Sequence, residues 1–443
     1  MHSDLNNFYA SVERKLHPEL IGVPVAVCGN AEERKGIVLA KSEEAKRYKV
    51  KTGDTIWQAK KKCPNLVVVK PHFNEYMKYS RKAWEIYSTF TDLIEGYGID
   101  ECWLDVSKST KIFPKFNGEM KIIENGIEYY TDEYLRFIGD TIRNAIKNQL
   151  GLTVSVGVSF NKVYAKLGSD LKKPDGTSVI SYKNYKKIVN GLPVSDLLFV
   201  GKATQNKLEF MGYNTIGKLA AANDLKIHNA LGKFGDTILS YARGLDTEEV
   251  RHMSEGRELK SIGNSQTFAE DLTNLNQVKK MLFVLTESVA ARLREADLGK
   301  ADTVHLWVRD SSLNGFTQQK KVRHTVLCGE IANHAYDLFC ANFAPPFKIR
   351  ALGVTVSGFD KGISQITLDE TNGTYEKREK VERVVDEIRK KHGYSKLQRG
   401  IITDDIIEMH NDIKNSHLIK PGKFEGERFD EIEQSSQNDE TDE

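Results

Sequence analysis

The residues with the most evident chemistry lie in Tyr97-Gly-Ile-Asp-Glu-Cys-Trp-Leu-Asp-Val-Ser107, where an apolar run is broken by two adjacent carboxylates, Asp100 and Glu101. Neighbours on a regular strand face opposite ways. Both acids therefore reach one site only at a strand end or a hairpin turn, which Gly98 just upstream permits. Adjacent acids in an apolar run are costly to bury unless a cation compensates them, which points to a Mg²⁺ site of hard oxygen ligands. On this stretch alone a solvated turn is the simpler reading. A third acid shifts the balance: Asp4, in Ser3-Asp-Leu-Asn-Asn-Phe-Tyr-Ala-Ser-Val-Glu13.

The elements that must position these acids follow from periodicity. Asp4 sits on an unusually short first strand, which leaves open a natural start upstream of Met1. Asn7 to Leu16 reads as a helix, with Phe8, Val12 and Leu16 on one face. Val23–Cys28 and Gly36–Ala40 read as short buried strands around a charged turn, followed by helices over Ser42–Tyr48 and Thr55–Lys62, the second ended by Cys63-Pro64. A strand at Val67–Val69 and a helix over Glu75–Tyr87 lead into the Asp100-Glu101 hairpin. Lys108–Tyr130 is polar and poorly patterned, and reads as an insertion before a helix over Asp132–Gln149. Leu152–Ser159 is a strand that delivers Asn161-Lys-Val-Tyr-Ala-Lys166 at a helix start, where free N–H groups and Lys162 make a ready anion site; a lysine with no particular partner fits the segment as well. Lys172-Lys-Pro-Asp-Gly176 is a turn at a domain edge.

From Val194 the pattern changes to short helices around glycines. Phe199-Val-Gly-Lys-Ala-Thr204, with Lys207-Leu-Glu-Phe-Met-Gly212, resembles a helix–hairpin–helix, in which Gly201 and Lys202 would offer N–H groups and charge to a DNA phosphate without reading bases. Leu231-Gly-Lys-Phe-Gly235 is a weaker second copy, and a tight helix–helix turn explains either. Gly244–Glu258 is a polar linker. Beyond it the order strand (Lys260–Phe268), helix (Asn276–Ala296), strand (Asp302–Val308), strand (Gln318–Leu327), helix (Gly329–Asn342), strand (Lys348–Val356) makes a βαββαβ domain of about 110 residues. Its open sheet face is expected to carry Lys260, Ser261, Lys320, Lys321 and Arg323, either to track a duplex backbone or as a solvated face. Arg378–Lys391 is a further helix, and from about Lys414 the chain is acidic and expected to be disordered.

Length and composition frame these readings. The 443 residues allow roughly two to four domains. Lys and Arg number 64 and Asp and Glu 62, a formal net charge of +2, but Glu425–Glu443 alone holds nine acids and one Arg. The remainder is thus distinctly positive, as in a polyanion binder and also on many ordinary surfaces. Five scattered cysteines without a C-x-x-C pair suggest neither a zinc site nor a disulfide framework, and fit a reducing cytoplasm. No signal peptide or long apolar run appears, so a soluble intracellular protein is expected.

Three motifs in order, Asp4–Glu13, Gly98–Asp105 and Val156–Lys166, with Lys260-Ser-Ile-Gly263 at the start of the last domain, resemble the Y-family of translesion DNA polymerases, especially bacterial DNA polymerase IV-like enzymes. The resemblance runs from about Met1 to about Ser357. It implies an α+β right hand: a ferredoxin-like palm (1–10 and 73–171), small α/β fingers (11–72), a helix–hairpin–helix thumb (172–244), a linker (245–256) and a βαββαβ little finger (257–370). A C-terminal helix and acidic tail (371–443) complete the chain. It implies low-fidelity, template-directed synthesis past damaged bases, with primer–template DNA and dNTPs as partners, a monomer, and possible docking on a sliding clamp. Asp4, Asp100 and Glu101, with the Leu5 carbonyl, would hold two Mg²⁺ about 3.5–4 Å apart. Phe8 and Tyr9 would line the nucleotide site, Tyr9 as the steric gate against a ribose 2′-hydroxyl, and Lys46 and Lys162 would clamp the triphosphate.

The chain departs from the family pattern in three places. Glu43 and Lys46 stand where the family often places Tyr and Arg in its fingers helix, Asn6 replaces the usual second acid of the first motif, and only three residues precede Asp4. No clean glutamine-led hydrophobic motif for clamp docking is found at the C-terminus. Two other classes stay open: a catalytically inactive DNA-binding scaffold, and a nucleotide cyclase, which also uses paired acids and Mg²⁺ but needs no duplex grip.

Overall fold

Among the described residues four separate hydrophobic cores form, and the patterning of the sequence accounts for each. The structure is a computed structural model and describes residues 1–30, 36–124, 126–255, 258–360, 373–393 and 396–402. The acidic tail expected from about Lys414 lies outside the described residues.

In chain order the first half contains β1 (His2–Leu5), α1 (Phe8–Leu16), β2 (Val25–Cys28), β3 (Val38–Lys41), α2 (Glu43–Arg47), α3 (Ile56–Lys62), β4 (Val67–Val69), α4 (Phe73–Ser88), β5 (Ile94–Gly96) and β6 (Glu101–Leu104). It continues with β7 (Lys121–Glu124), β8 (Ile127–Tyr130), α5 (Asp132–Leu150), β9 (Val154–Ser159), α6 (Lys162–Leu171) and β10 (Thr177–Ile180). The palm is a five-stranded sheet in the order β10-β9-β1-β6-β5. β1 lies at its centre, antiparallel to both neighbours, which is why a strand of four residues is buried throughout. Val154, Val156 and Val158 point to the core shared with Ile138, Ile142 and Ile146 of α5, each burial contributing roughly 1.5–3 kcal/mol. On the other face α6 lies so close to β9 that a Cβ at Gly157 would stand 1.9 Å from the Ala165 carbonyl oxygen. Only glycine allows that approach.

The fingers are a small sheet, β3-β2-β4, around Ala26, Val38, Ala45 and Ala59, and the two helices expected there are capped by Ser42 and by the Thr55–Gln58 capping box. The segment read as an unpatterned insertion forms the β7–β8 hairpin. The domain edge placed at Lys172 also needs correction. β10 pairs in parallel with β9, so the Lys172–Gly176 turn joins two elements of the palm, and the helical thumb starts beyond Ile180.

The thumb consists of α7 (Tyr185–Val189), α8 (Lys202–Phe210), α9 (Ile216–Ala220), α10 (Asp224–Leu231) and α11 (Lys233–Ala242). The linker is not free: Met253 N–H bonds the Asp92 carbonyl at 3.0 Å, and Arg251 reaches the buried Glu95 of β5 at 3.1 Å. The final domain runs β11 (Ser261–Leu272), α12 (Leu275–Glu295), β12 (Lys300–Asp310), β13 (Gly315–Thr325), α13 (Cys328–Asn342), β14 (Ile349–Asp360), the βαββαβ order read from the sequence, with sheet order β11-β14-β12-β13. α14 (Thr374–His392) docks on α12 through charge: Arg294 pairs with Asp386 at 2.6 Å, and the fully buried Glu287 meets Arg389 at 2.7 Å. No helix among the described residues is long and apolar enough to cross a membrane.

Candidate active site

Antiparallel pairing of β1 and β6 sets Asp4 directly across from Glu101, and directly opposed residues point to the same face. The Leu5 N–H bonds the Asp100 carbonyl at 2.9 Å, tying the hairpin turn to the end of β1, and Tyr97 N–H closes the turn on the Glu101 carbonyl at 3.0 Å. Two like charges opposed at a sheet centre repel, so the fold must supply cations. It does so from α6 and the turn after it. Lys166 Nζ lies 2.6 Å from Glu101 and 3.9 Å from Asp4, and Lys173 Nζ lies 2.7 Å from Asp4 and 2.7 Å from Asp170. His2, on the same face, bonds Ser169 through Nδ1 at 2.9 Å and approaches Glu101 through Nε2 at 3.3 Å.

The acids respond unequally. Burial, then the charges of Asp4 and Glu101, push Asp100 up to about 7. Burial also works against an ionised Glu101, but the His2 hydrogen bond and the Lys166 ammonium outweigh it and hold Glu101 at about 2. Asp4 is raised by burial and by Glu101, with Lys173 opposing. Burial keeps His2 neutral, down at about 4. Among the described residues no three carboxylate, imidazole or thiol groups close around one point, and at this site Lys166 pairs with Glu101 and approaches Asp4. The donor set is nevertheless hard carboxylate oxygen, and the repulsion that raises Asp100 is what a divalent cation relieves. The residues fit a hard divalent cation.

Tyr9 rises from the first turn of α1 and is held by other rings. It stacks on Tyr76 with centroids 4.3 Å apart at 10° and meets Phe73 edge-on at 6.0 Å. Tyr76 is fully buried and donates its hydroxyl proton to Glu13, which is also fully buried and is shared with His72 at 3.0 Å. Phe8 points into the palm core. Lys46 pairs with Glu43 at 2.6 Å, and the same Glu43 oxygen accepts from Asn7 at 2.7 Å, which brings the fingers helix to the residue between Asn6 and Phe8.

Lys162 lies elsewhere. Its Nζ is buried against Glu95 at 2.7 Å, with Glu248 at 3.2 Å and the Trp103 ring centroid at 4.9 Å, so the expected triphosphate clamp at Lys162 is corrected: this lysine fastens the linker to the palm edge. Lys166, one turn further along the same helix, and Lys173 are the ammonium groups at the acids. The i, i+4 spacing puts Lys166 on the same helix face as Lys162, but only the register of α6 on the sheet decides which end of that face meets the carboxylates.

In the thumb, Gly201 caps α8 and both Gly201 and Lys202 are exposed, after a hairpin in which Phe199 takes φ 67°. In the final domain Ser261, Ser357, Thr303 and Lys321 form one rung across the open sheet face, with exposed Lys260 just before it. Lys320 does not belong to that face. It pairs with Val304, which is buried under the helices, and successive side chains on a strand alternate. Arg323 is exposed in the stretch beyond Lys321 where the β12–β13 register shifts.

Comparison with known proteins agrees with this architecture. Residues 3–170 match the model of the impB/mucB/samB family, and residues 259–368 match the model of that family's C-terminal domain. The chain is 45% identical over 408 residues to DNA polymerase IV of Acetivibrio thermocellus, covering 91% of this chain and 97% of the relative. It is 33% identical to DNA polymerase IV of Clostridium kluyveri, covering 90% and 96%. A solved chimera of the Y-family DNA polymerases Dbh and Dpo4 superposes with a TM-score of 0.67 at 22% identity, over 81% of this chain and 98% of that one, and a ternary complex of Dbh DNA polymerase with 0.55 at 20%, over the same shares. A right-hand fold, a central strand that opposes Asp4 to Glu101 and near-complete coverage of relatives at this identity lead to one conclusion: the chain belongs to the DNA polymerase IV group of Y-family DNA polymerases.

Proposed function

We propose that the three acids and their two lysines are the nucleotidyl-transfer centre of this chain, a DNA-directed DNA polymerase that copies template past damaged bases. The primer 3′-hydroxyl attacks the α-phosphorus of a dNTP, the α–β anhydride bond breaks and pyrophosphate leaves. The observation that carries the assignment is the cross-strand opposition of Asp4 and Glu101 with the Asp100 turn tied to Leu5. An inactive scaffold would gain nothing from that repulsion. A cyclase would gain nothing from a hairpin thumb and a fourth core.

Asp4, Asp100, Glu101 and the Leu5 carbonyl would hold Mg²⁺, which when bound supplies Lewis acidity and neutralises charge at the transferring phosphoryl group. Lys166 and Lys173 then serve the polyphosphate, since they are the cations the fold already brings to this point, and Lys46 approaches from the fingers. The Tyr9 ring excludes a 2′-hydroxyl because the Tyr76 stack leaves it no room to retreat. Duplex holding falls to Gly201 and Lys202 in the thumb and to Lys260, Ser261, Lys321 and Arg323 in the final domain, by sequence-independent phosphate contacts. Sliding-clamp docking and a monomeric state are carried from the family resemblance alone. The test is extension of a labelled primer by one dNTP: Asp4→Ala and Glu101→Ala should abolish incorporation while primer–template affinity stays within a few-fold. Near-normal extension by either variant would remove the assignment.

A further inference from the structure

We propose that Asn6 is a positioning residue for nucleotide binding, holding the Lys173 ammonium at the carboxylates through the turn at Asp175. The inference rests on the reading of Lys173 as a contact to the polyphosphate and adds the device that aims it.

Asn6 directly follows β1, two residues beyond Asp4, and is buried at 5% exposure. Both ends of its amide are used. Nδ2 donates to Ser155 Oγ at 2.8 Å, and Oδ1 accepts from the Asp175 N–H at 2.8 Å. Asp175 sits in the left-handed region at φ 53°, which a non-glycine residue tolerates only when its surroundings enforce it. The enforcement comes from both sides. Arg143 and Lys147 on α5 grip the two Asp175 carboxylate oxygens at 2.6 Å each, and Asn6 grips the backbone. At the next residue, Gly176, a Cβ would meet the Lys172 carbonyl oxygen at 2.3 Å, so the turn is closed tightly against its own beginning. Lys173 is carried by this turn and has no β-strand or helix of its own to fix it. The main-chain direction at Lys173, and so the reach of its Nζ to Asp4 at 2.7 Å, is set by the anchors at Asp175. A neutral amide suits the position. It supplies the acceptor for the turn without adding a further negative charge beside Asp4, Asp100 and Glu101.

The test is a double-mutant cycle on the full-length polymerase, measuring steady-state single-nucleotide insertion on an undamaged primer–template. Asn6→Ala should raise KM for dNTP about tenfold with kcat changed by less than about threefold, the pattern expected when a ground-state phosphate contact is loosened. Lys173→Ala should raise KM by at least as much, and adding Asn6→Ala to it should change KM by less than about twofold, because the turn then aims nothing. An Asn6→Ala effect of undiminished size in the Lys173→Ala background would overturn the inference. If Lys173→Ala alone left KM unchanged, the reading of Lys173 as a phosphate contact would fail instead. Should Asn6→Ala melt at much lower temperature, Arg143→Met removes the anchor on the far side of the turn, away from the acids. It should raise KM in the same Lys173-dependent way, and an unchanged KM there would also overturn the proposal.

Discussion

Asp100→Asn is expected to stabilise the protein while abolishing its chemistry, and the size of the gain follows from the site. Burial, Asp4 and Glu101 raise Asp100 from 3.8 to about 7. At about 1.4 kcal/mol per unit the upper bound is about 4 kcal/mol of destabilisation when the group is ionised. Lys173 and Asp4 readjust when the charge disappears, so roughly half, about 2 kcal/mol, should be recovered. The sign follows from linkage. A carboxylate with a raised native pKa binds its proton more tightly folded than unfolded, so its contribution to stability declines as pH rises from about 4 to about 7 and stays low above that. The asparagine variant should therefore exceed the parent only slightly near pH 4.5 and clearly at pH 8, by roughly 4–8 °C in the melting of a unit of palm size. The assay is thermal unfolding in EDTA at both pH values. Added Mg²⁺ should raise the parent's midpoint at pH 8 more than the variant's. A variant equally displaced from the parent at both pH values, or less stable at pH 8, would refute the electrostatic account of the hairpin.

Three further outcomes are expected. Tyr9→Ala should raise ribonucleotide insertion sharply with a much smaller change for deoxynucleotides; unchanged sugar discrimination would make Tyr9 a core residue only. Tyr76→Phe keeps the stacked ring but removes the hydroxyl held by Glu13, leaving a buried carboxylate one partner short at a cost of about 1–3 kcal/mol. Measured by insertion of ribo- and deoxynucleotides, it should relax discrimination several-fold less than Tyr9→Ala, and an effect as large would mean the hydroxyl rather than the ring sets the gate. Deleting the chain from residue 257 onward should flatten the dependence of log affinity on log salt, by about 0.9 for each phosphate that the domain neutralises, and collapse processivity while leaving slow single insertions at low salt. An unchanged salt slope would reassign the final domain to another task.

Much of this protein was legible in the chain because local chemistry and local geometry coincide there. Asp100-Glu101 after Gly98 required a turn, the alternation around Leu152–Ser159 required a strand, and the fingers helices were read from Ser42 and Thr55, which cap them. The βαββαβ order of the last domain followed from the same periodicity. The sequence also carries Asn125-Gly126, a two-residue turn signal that its polar surroundings obscured. Other features had no local signature. Lys162 and Lys166 are alike in sequence, one turn apart on α6; the offset of that helix on β9, permitted by Gly157, buries the first against Glu95 and aims the second at Glu101. Lys320 and Lys321 are adjacent, and only the pairing of β13 with β12 decides that the first shares a face with buried Val304 and the second with Thr303. Lys173 and Asn6 are far apart in the chain and meet at Asp4 and Asp175 because β10 returns to the sheet beside β9. Propensity, capping and alternation act over a few residues, so the chain dictates locally which elements form and which residue types can do chemistry. Register and close approach are set between distant segments, so which charges meet is settled only when the sheet and its helices are assembled.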